Sequence, residues 1–474
     1  MQGATLDMLE FIGYLIFILA SGYYIITNLQ WYNYKLERIF LHHTKPSWNV
    51  IYIAIPFGLY LLMHYLFNLG AVVSLVYIVA IYMWYKKLDK PLVWTPRVKR
   101  FFALLLFFAL VPALLIGFKS LFAPFIFAFI LSWVIEKILF LRYQTKAKEK
   151  ISKMEDLIVV GVTASYGKTS IKNILAHILQ GEYRTYATPR SVNTLGGIVK
   201  DINDDLPDDT QIYIVEMGAR VKGDIAQIAT FVNPHYVIVG KIGPAHIEYF
   251  KTIDAIRATK LEILSSNRLK EGWLHESTMA KPSQNLHIFG EDIKDITATL
   301  DGVSFEIQGE RYSAPLLGAF NAINIAAAIK LAKTIGIDET TIQKRLSTLK
   351  PTPHRLQRID AGGKIILDDS FNGNIDGMLA SFELVSTYQG RKVLITPGLV
   401  EADTSLNTQI AKKADEIFDL IIVTGDLNVD IFQNHIKDEK MIKLSNKSQM
   451  QEALLQHTTA GDLILFANDA PSFV

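Results

Sequence analysis

The 474-residue chain contains no cysteine. That absence excludes disulfide bridges, thiolate metal sites and a cysteine nucleophile, and it fits a reducing compartment. Net charge is nearly absent too: 48 Lys and Arg stand against 46 Asp and Glu, a formal balance of +2. No basic excess argues for a nucleic-acid partner. Internal repeats and low-complexity tracts are missing. What is plentiful is apolar. Half of the residues are hydrophobic, and the mean hydropathy of +0.23 is high for a soluble protein. The length implies more than one domain.

The apolar residues cluster in runs at the front. Leu9 to Thr27 carries no charge after Glu10, and Val50 to Tyr85 is broken only by Asn68-Leu69-Gly70, so it reads as two helices. Phe101 to Phe118 and Leu121 to Leu141 follow. Each is close to the roughly 20 residues a bilayer requires, the third being short. Buried core helices of a soluble domain are the alternative. Charge confined to the gaps favours a five-helix transmembrane domain over residues 1–141. The chain start has no Lys or Arg and no cleavage site, unlike a signal peptide.

Loop charge gives the orientation. Lys35, Arg38 and Lys45 lie in one loop, and Lys86, Lys87, Lys90, Arg97, Lys99 and Arg100 in another. Arg142, Lys146, Lys148, Lys150 and Lys153 follow the fifth run, whereas the opposite side holds Lys119 alone. The N-terminus is therefore expected outside and everything after residue 150 in the cytoplasm. His64 falls inside an apolar run; a polar residue there is a functional candidate, and a histidine satisfied by a neighbouring helix is the preferred reading. The charged and helix-prone segment 142–156 reads as a linker.

From residue 157 strands and helices alternate, which predicts α/β layers on mostly parallel sheets. Expected strands are Leu157 to Val162, Gln211 to Glu216, Tyr236 to Gly240, Lys364 to Asp368, Lys392 to Thr396, Asp419 to Thr424 and Asp462 to Phe466. Expected helices are Ile171 to Leu179, Thr252 to Ser265, Ala322 to Thr334, Gly377 to Thr387 and Gln409 to Ile417. Segment 271–318 reads as a strand-rich insertion, and Leu349 to Pro353 as a joint between a domain at 157–350 and another at 351–474.

Gly161-Val-Thr-Ala-Ser-Tyr-Gly-Lys-Thr-Ser170 lies between the first strand and helix. Strand, loop, Gly-Lys-Thr and helix is the layout of a phosphate-binding P-loop, in which helix-start N–H groups face the anion. Gly161 lies one place too early for the strict pattern, so an ordinary β–α turn with an exposed lysine is the alternative. Other residues sit past strand ends, where ligands of α/β sheets bind. Glu216 is either solvated or a Mg²⁺ ligand beside Thr169. His246, in Gly243-Pro-Ala-His-Ile-Glu248, is either a loop residue or a ligand. Lys260, on an expected helix, is by default solvated.

These stretches together resemble the Mur ligases, ATP-dependent amide ligases of peptidoglycan precursor synthesis. The resemblance rests on Gly-Lys-Thr-Ser-Ile-Lys at 167–172, Glu-Met-Gly-Ala at 216–219, the 243–248 run and Ala-Thr-Lys-Leu-Glu-Ile at 258–263. Asp368-Asp-Ser-Phe-Asn-Gly-Asn374, Asn321 with Asn324, and Arg355 are similar to the branch that adds D-alanyl-D-alanine. It covers about 157–470. It implies a P-loop ATP-binding central domain and a smaller Rossmann-like C-terminal domain.

Carried over residue by residue, the resemblance places ATP on Gly161, Thr163, Ala164, Ser165, Tyr166, Gly167, Lys168, Thr169 and Ser170. Asn321 and Asn324 would meet the adenine region, and Arg355 and Asp369 would close from the C-terminal domain. It implies two Mg²⁺ on Thr169, Glu216, His246 and Lys260, with Lys260 carbamylated. Lys168, Lys260 and His246 would carry catalysis, and Asn193 and Asn372 would meet substrate. The implied substrates are a UDP-muramoyl-peptide and D-alanyl-D-alanine, and the implied location is the cytoplasmic face of the bacterial inner membrane, beside the bilayer and other cell-wall synthesis proteins.

The departures are Ala164 in place of a glycine, Phe320 in place of a histidine, Phe371 in place of a tyrosine and Ile375 in place of a proline. The membrane helices stand where the family has a uridine-nucleotide-binding domain. Competing readings are a ligase with a lipid-linked or other acceptor, a membrane P-loop ATPase or sensor, and an inactive scaffold. The scaffold reading requires loss of Lys168, Glu216 or Lys260, and all are present.

Overall fold

The computed structural model describes the chain except residues 1, 33, 35–46, 89, 117–120, 245–246, 372, 401, 445–448 and 469–474. The chain divides into two compact units, Met1–Arg142 and Tyr143–Val474.

The first unit is helical. Gln2–Trp31 packs on Gly70–Tyr85 and on Pro96–Ile116. Gly13 permits the first contact, since a Cβ there would lie 2.5 Å from Ala71 Cα. Phe17, Tyr24, Trp84, Phe101 and Leu105 fill the interior. Outward positions are apolar as well, as at Val72, Val76, Val79 and Met83. A helix that is apolar all round belongs in a large core or a membrane. Among the described residues three helices are long and apolar enough to cross a membrane: Leu6–Trp31, Ser47–Phe67 and Ala123–Ser152. Gly70–Tyr85 is apolar but has only 16 residues. The expected break after Phe67 occurs, and Asn68 takes it with φ +49°. His64 is satisfied by a neighbouring helix: its Nδ1 lies 2.9 Å from Glu10 Oε2, while Glu10 Oε1 accepts the Ala71 N–H.

Segment 142–156, expected as a linker, continues the preceding helix as far as Ser152. Its Ala147 is fully buried, with Tyr143 and Ile151 packed against the same core. The reason is periodicity: Tyr143, Ala147 and Ile151 recur every four residues on one face, while Lys146 and Lys148 between them stay outside.

Among the described residues the second unit holds three sheets. Strands β1 (Ile158–Thr163), β2 (Thr185–Ala187), β3 (Ile212–Glu216), β4 (Tyr236–Val239), β5 (Glu271–His275) and β6 (Leu286–Phe289) form a parallel sheet in the order β2-β3-β1-β4-β5-β6. Segment 271–318 is thus no single insertion. Its first two strands extend the main sheet, and only β7 (Ile293–Thr299), β8 (Gly302–Ile307) and β9 (Glu310–Ala314) form a separate antiparallel sheet. β1 lies between β3 and β4, so the chain leaves it in both directions. Such a switch point opens a crevice at the carboxyl end of the strand.

Strands β10 (Gln357–Ala361), β11 (Lys364–Asp369), β12 (Lys392–Thr396), β13 (Leu420–Thr424), β14 (Met441–Leu444) and β15 (Leu463–Ala467) build the last sheet, ordered β10-β11-β15-β12-β13-β14. Only β10 runs antiparallel.

Candidate active site

The loop after β1 leads into the helix Lys168–Leu179, which begins three residues earlier than its apolar pattern suggested. Gly167 takes φ +79°, and a Cβ there would lie 2.3 Å from Asn324 Oδ1. This is the position that demands glycine. Ala164 replaces a family glycine without strain, because its φ stays outside the left-handed region and its side chain is buried. Ser165 ties the loop to the end of β4: its N–H donates to Lys241 O and its Oγ to Gly243 O. The Tyr166 ring covers Gly243, and burial raises its phenol pKa. Lys168 folds back, with Nζ 3.0 Å from Ala164 O and 3.2 Å from Ser165 O. Burial lowers its pKa, Glu216 opposes that and Arg355 adds to it.

Three expected nucleotide residues turn elsewhere. Gly161 lies within β1 against Met217 and Ile263. Thr163 donates its hydroxyl to Met217 O, and Ala164 packs on Gly240. β1 is buried on both faces of its parallel sheet, and Ala164 just past it is buried as well, so these positions face the protein and leave Ser165 to Ser170 as the loop and helix start.

Glu216, at the end of β3, is 1 % exposed. Its Oε2 accepts from Thr169 Oγ1 at 2.9 Å and its Oε1 from Asn193 Nδ2 at 3.0 Å. Asn193, which the resemblance implies meets substrate, bonds directly to the strand-end carboxylate. Lys172 was not singled out, yet its buried Nζ lies 3.4 Å from Glu216 Oε2. The signal was its place in the Gly-Lys-Thr-Ser-Ile-Lys run, one helical turn after Lys168.

Lys260 is not solvated. It sits buried near the end of the helix Ile253–Leu261. Burial first, then the charge of Lys168, lowers its pKa to about 7, against the pull of Asp224, Glu216 and Glu262. His246 and Asn372 lie outside the described residues. Among the described residues no three His, Cys, Asp or Glu side chains converge on one point.

Beside the loop, a cavity of about 330 Å³ is lined by Ser170, Asn173, His177, Asn321, Thr352 and Arg355, among others. Asn173, His177 and Thr352 were not foreseen; Asn173 Nδ2 donates to Thr352 Oγ1 at 3.1 Å. Asn321 and Asn324 stay bonded to each other but face different partners. Asn321 lines the cavity and donates to Leu317 O, whereas Asn324 presses on Gly167 and donates to Asn321 Oδ1. Arg355 reaches the Phe371 carbonyl, and Asp369 Oδ1 accepts the Leu356 N–H at 3.0 Å. The flanking His354 and Leu356 have φ of +63° and +50°.

Known proteins resemble this arrangement. Residues 162–332 match the Mur ligase middle domain. The UDP-N-acetylmuramoyl-tripeptide--D-alanyl-D-alanine ligase of Bacillus subtilis is 27 % identical over 333 residues, 65 % of this chain and 72 % of that protein. The ligase of the same name from Escherichia coli is 29 % identical over 264 residues, 51 % of this chain and 58 % of that protein. Among solved structures, the MurF ligase of Thermotoga maritima in complex with ADP has a TM-score of 0.61 at 24 % identity, covering 70 % of this chain and 80 % of that one. Residues 162–332 thus carry a Mur ligase middle domain, and in sequence and fold the chain is similar to MurF ligases.

Proposed function

We propose that the chain is an ATP-dependent amide ligase of peptidoglycan precursor synthesis, joining D-alanyl-D-alanine to UDP-MurNAc-tripeptide. The observation that carries this reading is the Glu216 carboxylate, held by Thr169 of the phosphate loop on one oxygen and by Asn193 on the other. One acid thus borders both the ATP side and the substrate side.

Tyr166, Gly167 and the first turn of the following helix act as a P-loop, whose N–H groups face the phosphates. Lys168 leaves the loop carbonyls for the β/γ-phosphates. The cavity beside Asn321 takes the nucleoside, and Arg355 brings positive charge from the C-terminal domain. The substrate carboxylate attacks the γ-phosphorus and ADP leaves, giving an acyl phosphate. The amine of D-alanyl-D-alanine attacks the acyl carbon; inorganic phosphate leaves, and an amide remains. The carboxylate and the triphosphate repel each other, and Lys168 and Arg355 offset that repulsion by preorganised charge.

The Glu216 carboxylate and Thr169 hydroxyl are hard oxygen donors of the kind that suits Mg²⁺ alongside phosphates. Bound there, Mg²⁺ supplies neutralisation of phosphate charge. His246 and Lys260 are the candidates for a second ion. Lys260 joins that set only as a carbamate. Its neutral amine, accessible at a pKa of about 7, bonds through Nζ to the carbon of CO₂ and loses a proton, giving the anion.

We read the first unit as a multi-pass anchor with its N-terminus outside and the ligase in the cytoplasm. Its apolar helices favour a second reading, in which the tripeptide acceptor is lipid-linked. The test uses the full chain in detergent with ATP, Mg²⁺, D-alanyl-D-alanine and either UDP-MurNAc-tripeptide or its lipid-linked form. Mass spectrometry should show the dipeptide added to the soluble acceptor, with phosphate release dependent on both substrates. Addition to the lipid-linked form alone supports the second reading, and release independent of acceptor sinks both.

A further inference from the structure

Lys172 is a buried cation that the ligase chemistry above does not use. It is 1 % exposed. Its Nζ donates to Thr188 O and Arg190 O, both at 2.6 Å, and lies 3.4 Å from Glu216 Oε2. The same stretch is tied twice more to Glu216 and once to Gly218. Thr188 Oγ1 accepts the Glu216 N–H, Asn193 Nδ2 donates to Glu216 Oε1, and Asn193 O accepts the Gly218 N–H. A burial this complete leaves an ammonium without water, so its hydrogen-bond partners are chosen by the fold.

We propose that Lys172 is a positioning residue that couples the Glu216 carboxylate to the loop Thr188–Asn193. With a divalent cation beside Glu216 Oε2, the ammonium is repelled from that oxygen. The two loop carbonyls are the acceptors that remain to it, and its bonds to them strengthen. Nucleotide with its metal therefore orders the loop that carries Asn193, and by reciprocity an ordered loop favours the metal-nucleotide. The inference rests on the ligase reading for the identity of what the loop meets. The coupling itself requires only the phosphate loop and Glu216.

The test is hydrogen exchange on the full chain in detergent, followed at 188–194 with ADP and Mg²⁺, with ADP and a chelator, and without additions. Mg²⁺ with ADP should slow exchange about fivefold or more, the lower end of ordinary coupling between sites. ADP with chelator should not. Lys172→Met should still bind Mg²⁺ and ADP yet show no slowing at the loop. Lys172→Gln retains a donor for one carbonyl without the charge, and it should behave likewise, so a Met variant that does not fold leaves the question decidable. Equal slowing in a folded variant and the wild type, slowing by ADP without metal, or none in the wild type overturns the proposal. A failed ligase reading shows instead as absent product in the turnover assay, which these measurements do not use.

Discussion

Thr169 Oγ1 donates to Glu216 Oε2 at 2.9 Å, and through that contact the phosphate loop after β1 meets the end of β3. Neither residue needs the other to fold its own element. Their meeting follows from β1 and β3 pairing in parallel, with Val162 opposite Glu216.

Glu216→Gln keeps the shape and removes the charge. Turnover should fall roughly 10²–10³-fold, the scale for losing one preorganised electrostatic group. Phosphate release against Mg²⁺ concentration checks this, and the half-saturating Mg²⁺ should rise. Unchanged turnover would remove Glu216 from the metal set.

Lys168→Met should weaken ADP binding by roughly 10- to 100-fold, the worth of a hydrogen bond to a charged group. Calorimetric titration reads it. Loss of the Nζ contacts to Ala164 O and Ser165 O should leave the melting temperature little changed, because the burial that lowers the Lys168 pKa penalises the charge those contacts hold.

Lys260 gives a pH signature. Its folded pKa of about 7 lies below the ordinary lysine value near 10.4. Between those limits the unfolded chain binds the extra proton, so stability rises with pH across that window and the burial penalty is complete below about 7. The wild-type melting temperature should therefore rise more than that of Lys260→Met between pH 7 and 9. Lys260→Ala should lose most turnover and regain part of it with short carboxylates. An alanine variant with full activity would remove the carbamate from the mechanism.

Asp369→Ala tests the domain joint. The buried carboxylate accepts from Leu356 N–H and from Ser381 Oγ at 2.8 Å. Removing it leaves the Leu356 N–H without an acceptor, whereas the Ser381 hydroxyl keeps Gly377 O, at a cost of about 1–3 kcal/mol for a buried group. Urea unfolding reads the loss. KM for ATP should rise as well, since Leu356 follows Arg355 directly.

The absence of cysteine makes topology simple to measure. Leu69→Cys should react with a membrane-impermeant maleimide added outside intact cells, and Lys87→Cys should react only after lysis. The reverse pattern would invert the proposed orientation.

The motifs at 167–172, 216–219 and 258–263 were legible because each is local: a glycine with positive φ, a strand end, a helix turn. The alternation of strands and helices likewise announced an α/β unit. The apolar runs announced helices, and among the described residues three meet the length for a membrane span. The linker was misread because its lysines dominate composition, whereas burial follows the spacing of Tyr143, Ala147 and Ile151. Segment 271–318 was misread because strand propensity does not state a partner.

The sequence by itself determined the identity of the charged groups and the local geometry of the phosphate loop. Tertiary structure decided which of them meet. Gly161, Thr163 and Ala164 lie in or beside the motif but face the protein, whereas Asn193 and Lys172 reach Glu216 from separate elements. Strand order and register bring distant residues within hydrogen-bond range, and burial then lowers the pKa of Lys172 and Lys260. Neither can be read along the chain, because both arise from contacts between segments far apart in sequence.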